Sequence, residues 1–163
     1  MLSLVFAAAL FHDVFVSAGA SAGTSFTDTR VRMEKTIGAQ WYPSRGYLGV
    51  AYSFGWNASS LTVSKPFSAH QNRHIQVVGP ALRFSRGKVQ PWMHGGFSFY
   101  RERTKIDVFG EPLLRDTQKR HAAVLAAGSN MILGTEWYAE PSIRMLAVRR
   151  PTWGAAFRVG RRF

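Results

Sequence analysis

Cysteine is absent from the 163-residue chain, so neither a disulfide nor a thiolate metal site can hold its fold. The absence suits an exported protein, although it names no compartment. Long apolar runs are absent too. A spanning helix needs about 20 consecutive apolar residues, and the nearest approach is the opening stretch, residues 1–11, which excludes a helical membrane protein. Acidic residues are few: 9 Asp and Glu face 21 Lys and Arg, for a formal charge of +12. That imbalance points to an anionic partner such as nucleic acid, phospholipid or lipopolysaccharide. Nucleic acid fits least, because the basic residues scatter over strands, turns and loops and no recognised module gathers them.

What the sequence does have is alternation. In residues 47–56, Leu48, Val50, Tyr52, Phe54 and Trp56 occupy every second position, between Tyr47, Gly49, Ala51, Ser53 and Gly55. Successive side chains of a strand project oppositely, so one face is bulky and apolar and the other small or weakly polar. A strand with lipid outside and a crowded polar lumen inside reads this way; so does a half-buried strand of a soluble sandwich or lipocalin-like barrel. With 46% apolar and 18% charged residues, the composition fits both. The length suits one domain, enough for a closed eight-stranded barrel.

The same pattern recurs along the chain. Residues 1–12 read as the apolar middle of a secretory signal without its basic start, or as an extension of the first strand; the single barrel domain is expected over 13–163. Val14, Val16, Ala18, Ala20 and Ala22 begin it. Val31, Met33, Ile37, Ala39 and Trp41 then oppose Arg32, Glu34, Thr36, Gln40 and Tyr42, with Lys35 interrupting the apolar set. After 47–56, further strands are expected over 74–84, where Pro80 is awkward for a paired strand, and over 89–101, 121–130, 136–148 and 152–163. Short turns are expected at 43–46, 85–88 and 131–135, and long polar loops at 57–73 and 102–119.

Eight alternating segments of roughly ten residues, an even number, are what an antiparallel closed barrel needs to leave no edge. Short turns on one rim and the two long loops on the other agree with that architecture. At this point the sequence resembles the small eight-stranded outer-membrane barrels of Gram-negative bacteria, the family of the OmpA transmembrane domain, OmpX and OmpW. The resemblance runs from Val14 onward and rests on Gly79-Pro80-Ala81-Leu82-Arg83-Phe84, on Gln90-Pro91-Trp92, and on the final Phe157-Arg158-Val159-Gly160-Arg161-Arg162-Phe163. It implies an all-β, up-and-down transmembrane barrel in the bacterial outer membrane, monomeric, without a cofactor. Its implied partners are outer-membrane lipids, lipopolysaccharide and, through the terminal aromatic, the barrel-assembly machinery.

Residue roles follow from that frame. Inward Arg32, Glu34, Arg83, Glu140, Arg144 and Arg158 must pair or be solvated, because an isolated buried charge is too costly; a salt-bridged polar plug and no wide pore are expected. Trp41, Trp56, Trp137, Trp153 and Phe163 sit near strand ends as interfacial aromatics. Lys35, Arg73, Arg101, Arg103, Arg149 and Arg150 are candidate rim contacts for lipopolysaccharide phosphates, against plain solvation.

Some barrels of this size modify lipid A. Here His94 and Ser98 share a face about 13 Å apart along one strand, at roughly 3.3 Å per residue, too far for a nucleophile and its base. His70 and His74 lack an evident third metal ligand. The expectation is therefore a structural, adhesive or envelope-interaction barrel and not an enzyme, with a soluble lipocalin-like barrel for a small apolar ligand as the rival. The rival would place Leu48, Val50, Tyr52 and Phe54 inside.

Overall fold

The computed structural model describes residues 12–24, 31–64, 67–147 and 151–163. Within them the chain forms eight strands: β1 (Asp13–Gly23), β2 (Arg32–Tyr42), β3 (Leu48–Ser64), β4 (Phe67–Arg83), β5 (Val89–Val108), β6 (Glu111–Leu133), β7 (Trp137–Ala147) and β8 (Thr152–Arg162). Each pairs antiparallel with its sequence neighbours, and β8 returns to β1 to close the barrel. Closure gives every strand two partners, which removes the exposed edge an open sheet would carry. The expectation for residues 1–12 falls almost wholly outside the described residues, and β1 starts at Asp13.

Side chains sort as the alternation requires. Val16, Ile37, Val50, Tyr52, Val78, Phe97, Phe99, Leu125, Ile143 and Phe157 all lie exposed on the outer face, while Phe15, Tyr42, Ala51, Val77, Trp92 and Tyr138 are buried inside. The bulky face therefore points outward, opposite to what a soluble barrel with an apolar interior needs. Such a continuous apolar exterior calls for a nonaqueous surround.

Prolines are fitted at special places. Pro80 pairs across to Val50 on β3, but the ladder toward β5 skips it, resuming at Val78↔Phe97 and Ala81↔His94. Opposite the gap lie Gly95 and Gly96, and a Cβ at Gly79 would collide with the Gly95 carbonyl. The missing proline N–H is thus absorbed where three glycines let two backbones come close.

One rim is closed by short connections: a 3-10 turn at Pro43–Arg45 follows β2, residues 84–88 join β4 to β5, and residues 134–136 join β6 to β7. The other rim is uneven. The stretches 57–73 and 102–119, expected as loops, are instead the outer parts of two long hairpins, β3–β4 and β5–β6. Val108 and Glu111 are joined by Phe109 and Gly110 alone, both at positive φ, as a tight two-residue hairpin turn requires. The sequence there has no apolar period because both faces of the hairpin leave the apolar belt, yet backbone ladder bonds continue whatever the side chains are.

Candidate functional site: a charged lumen and a basic outer wall

The lumen is filled by stacked layers of ion pairs. Nearest the short rim, Asp13 binds Arg83 at 2.6 Å and Arg162 at 2.9 Å. Arg83 also donates to the carbonyls of Gly46 and Arg45, both at 2.7 Å, and lies 4.5 Å over the Tyr42 ring. Phe15 meets Tyr138 edge to face at 5.1 Å in the same region, so aromatic rings fill what the ion pairs leave. In the middle, Glu140 accepts from Arg158, from Ser17 at 3.0 Å and from Gln40 at 3.4 Å. Higher up, Glu34 is shared by Arg144 at 2.8 Å and Arg73 at 3.1 Å. At the tall rim, Glu102 accepts from Tyr100 and Gln71, and Gln71 in turn accepts from Arg32.

Each carboxylate is thus held by several donors, which is the condition for burying ionic groups without a prohibitive desolvation cost. All six lumen residues expected from the sequence, Arg32, Glu34, Arg83, Glu140, Arg144 and Arg158, point inward, but they do not form one cluster. Arg83 stands apart with Asp13, and Arg32 reaches Glu102 through Gln71. Asp13, Arg162, Gln71 and Glu102 were not among the candidates; Asp13 and Arg162 continue the alternation of their strands by one step, and that parity was the signal available.

The candidate rim cations divide. Arg73 is not a rim residue: it is buried in the lumen against Glu34. Its parity with Ile75 and Val77 puts it inside once β4 extends past His74. Lys35, Arg101 and Arg103 lie exposed on the outer face, and Arg149 and Arg150 lie outside the described residues. Trp41, Trp137 and Phe163 lie on the outer face toward the short rim; Trp56 and Trp153 lie toward the other.

Above the apolar belt, the outer face of β4, β5 and β6 becomes basic. The register sets Arg101 directly between His74 and Lys119, Arg103 between Asn72 and Thr117, and Lys105 between His70 and Arg115. Asp107 binds Lys105 at 2.9 Å. Among the described residues Arg101, Arg103, Arg115 and Lys119 make no ion pair. Like charges directly opposite on a ladder repel, so the arrangement is maintained at a cost. At the foot of this ladder, Phe54, His74, Gln76, Phe99, Tyr100, Arg101, Lys119 and His121 line a groove of about 390 Å³. Its rings are ordered: His74 stacks on Phe54 at 5.8 Å, and His121 meets Phe99 edge-on at 5.4 Å.

His94 and Ser98 are both buried in the lumen, and the Ser98 hydroxyl donates to the Ala122 carbonyl at 3.2 Å, so these two do not face each other as nucleophile and base. Among the described residues no three His, Asp or Glu side chains gather as a metal site.

A strand-for-strand likeness to solved proteins completes the picture. Ail, the attachment invasion locus protein of Yersinia pestis, solved with the heparin analogue sucrose octasulfate, superposes with a TM-score of 0.69 at 13% identity, covering 93% of this chain and 99% of Ail. The fold is that of the small outer-membrane barrels. The N-terminal β-barrel domain of Pseudomonas aeruginosa OprF gives a TM-score of 0.63 at 16% identity, over 93% of this chain and 97% of OprF's domain. Neisserial surface protein A gives 0.55 at 13% identity, over 93% and 95% of the two chains. No protein-family model and no curated protein matches the sequence.

Proposed function

We propose that the chain is a monomeric, integral outer-membrane barrel whose structural, adhesive or envelope-interaction role is carried by the two long hairpins and not by chemistry in the lumen. The short rim faces the periplasm and the hairpins face outward. Its assembly into the membrane runs through the barrel-assembly machinery.

The observation that carries the reading is the cation ladder immediately above the apolar belt, in which Arg101, Arg103, Arg115 and Lys119 make no ion pair among the described residues. Arg101 and Lys119 stand where lipopolysaccharide phosphates lie, with Phe54, Phe99 and the two histidines below as an aromatic floor for the sugar rings. Lys35, on the outer face of β2 beside Trp56, adds a further cation at the same level. Cations near an anionic headgroup layer gain about 1 kcal/mol each. The test is binding of the detergent-folded protein to lipopolysaccharide and to its dephosphorylated form. Preferential binding to the phosphorylated form, weakened by R101Q/K119Q, supports the reading; equal binding to both forms overturns it. Ail was solved with a sulfated sugar, and tighter retention by heparin than by lipopolysaccharide would redirect the same ladder toward sulfated polysaccharide on a foreign cell surface.

A further inference from the structure

Between the Glu140 layer and the Glu34 layer the lumen holds a small cavity of about 50 Å³, whose walls include Thr36, Trp92, His94, Arg144 and Arg158. Four of its polar atoms have no partner among the described residues: Thr36 Oγ1, Trp92 Nε1, His94 Nε2 and Arg158 Nε. Their residues are only 5%, 3%, 4% and 7% exposed, respectively. Unpartnered polar atoms so deeply buried are rare and call for an occupant.

The chemistry of the four atoms is one-sided. The Trp92 indole and the Arg158 Nε can only donate, the Thr36 hydroxyl can turn to donate, and His94 Nε2 donates in one neutral tautomer. The carboxylates nearby are already engaged, Glu140 by Arg158, Ser17 and Gln40, and Glu34 by Arg144, Arg73 and Ser21. Charge is one-sided as well, since three guanidiniums adjoin these two carboxylates. Water would answer the donors but would bring two hydrogens of its own and leave the excess positive charge in place. An anion answers both. At about 10–15 Å³ per water-sized occupant, the cavity takes a single halide with one or two waters and nothing larger.

We infer that this cavity is a binding site for a small monovalent anion of the size of chloride, held by Trp92, Arg158, Thr36 and His94. The anion neutralises the middle of the lumen and completes the polar plug. The four groups come from strands β2, β5 and β8, so occupancy ties distant parts of the wall.

The test uses the intact protein folded in detergent in a halide-free gluconate buffer. Its tryptophan indole N–H signals are followed by NMR while chloride, then bromide, is added; Trp92→Phe identifies the Trp92 signal. The expected result is a saturable shift of the Trp92 signal alone, with a millimolar midpoint, while the outward Trp41, Trp56, Trp137 and Trp153 stay fixed. His94→Leu, which keeps every ion pair, weakens the midpoint about fivefold, as expected for one lost hydrogen bond. A Trp92 signal that does not move, or that moves linearly and equally with sulfate, overturns the site and leaves the cavity to water.

Discussion

The two halves of the barrel wall solve different problems with the same backbone. In β7, β8, β1 and β2 each strand has 11 residues, close to the roughly 9–11 that a tilted strand needs to cross a bilayer core. In β3, β4, β5 and β6 the strands have 17, 17, 20 and 23 residues. At about 3.3 Å per residue, the longer strands extend some 20–40 Å further along their own length than spanning requires. The short half mixes small outward residues, Ala18, Ala20, Ala22, Ala39 and Ala155, with Val16, Ile37, Ile143 and Phe157; the tall half carries Val50, Tyr52, Phe54, Val78, Phe97 and Phe99, and then its ladder of cations. Below the belt edge, side-chain identity is dictated by two solvents, lipid outside and a packed polar lumen inside. Above it lipid no longer constrains the outer face, which is free to take a function.

The largest effect that separates the halves is expected in the lumen. Glu140→Gln removes the charge facing Arg158 while leaving the volume, and a buried pair broken on one side costs about 3–5 kcal/mol. The same change at Asp116, on the outer part of β6, costs no more than about 0.5 kcal/mol, as exposed substitutions do. Urea midpoints in lipid vesicles, with heat-dependent gel mobility as the measure of folded protein, compare the two. Equal losses would mean that the outer hairpin is as tightly coupled as the wall. The paired variant Glu140→Leu with Arg158→Leu should recover most of the loss, because it leaves no charge unpaired.

Next in size is the position of the belt edge. Phe97→Arg places a cation on the lipid face and should cost about 2–4 kcal/mol if that position lies near the bilayer midplane. Thr117→Arg, on the outer face of β6 above the edge, should cost nothing measurable. A series through Phe99 toward Arg103 would show the penalty vanish between neighbouring outward positions, and a penalty persisting at residue 103 would raise the membrane boundary above the groove.

A smaller effect tests whether the tall half is separable. Glu102 and Gln118 are directly opposite, so replacing residues 103–117 by Asn-Gly closes the hairpin with a favoured turn. The shortened protein should retain its heat-dependent mobility yet lose lipopolysaccharide affinity by about 1 kcal/mol for each cation removed, a loss that shrinks at high salt as screening takes over. A barrel that no longer folds would show that the hairpin is part of the wall.

How much of this was legible in the residues follows the same divide. The faces of β3 and β5 could be assigned because Leu48, Val50 and Tyr52, or Trp92, His94 and Ser98, report on two contrasting surroundings. Arg73 could not be told from a surface cation by its neighbours in sequence, since 57–73 carries no period; only the parity of β4 places it beside Glu34. The ion pairs themselves were legible as a need and not as a pairing, because Glu34 and Arg144 are 110 positions apart and meet only when the barrel closes. The cation ladder was beyond reach for another reason. It depends on the mutual register of three strands, which the Phe109-Gly110 turn sets at one end and a bulge near Ile106 adjusts.

That turn supplies the subtlest test. Phe109 sits at φ 54 and is 83% exposed at the tip of the tallest hairpin, with Leu113 and Leu114 also exposed nearby. A residue with a Cβ held in the left-handed region costs roughly 1–2 kcal/mol, and Asn relieves part of that. Phe109→Asn should therefore firm the hairpin by less than about 1 kcal/mol, seen as slower amide exchange at Val108 and Glu111 with no change in the unfolding of the wall. A large aromatic retained at a strained and exposed point is costly twice over, once in backbone and once in apolar surface left in water. If the tip engages a partner through that ring, Phe109→Asn weakens that binding even as it steadies the hairpin, whereas Phe109→Trp preserves it at the original strain. Binding unchanged in both variants would leave the ring without a partner.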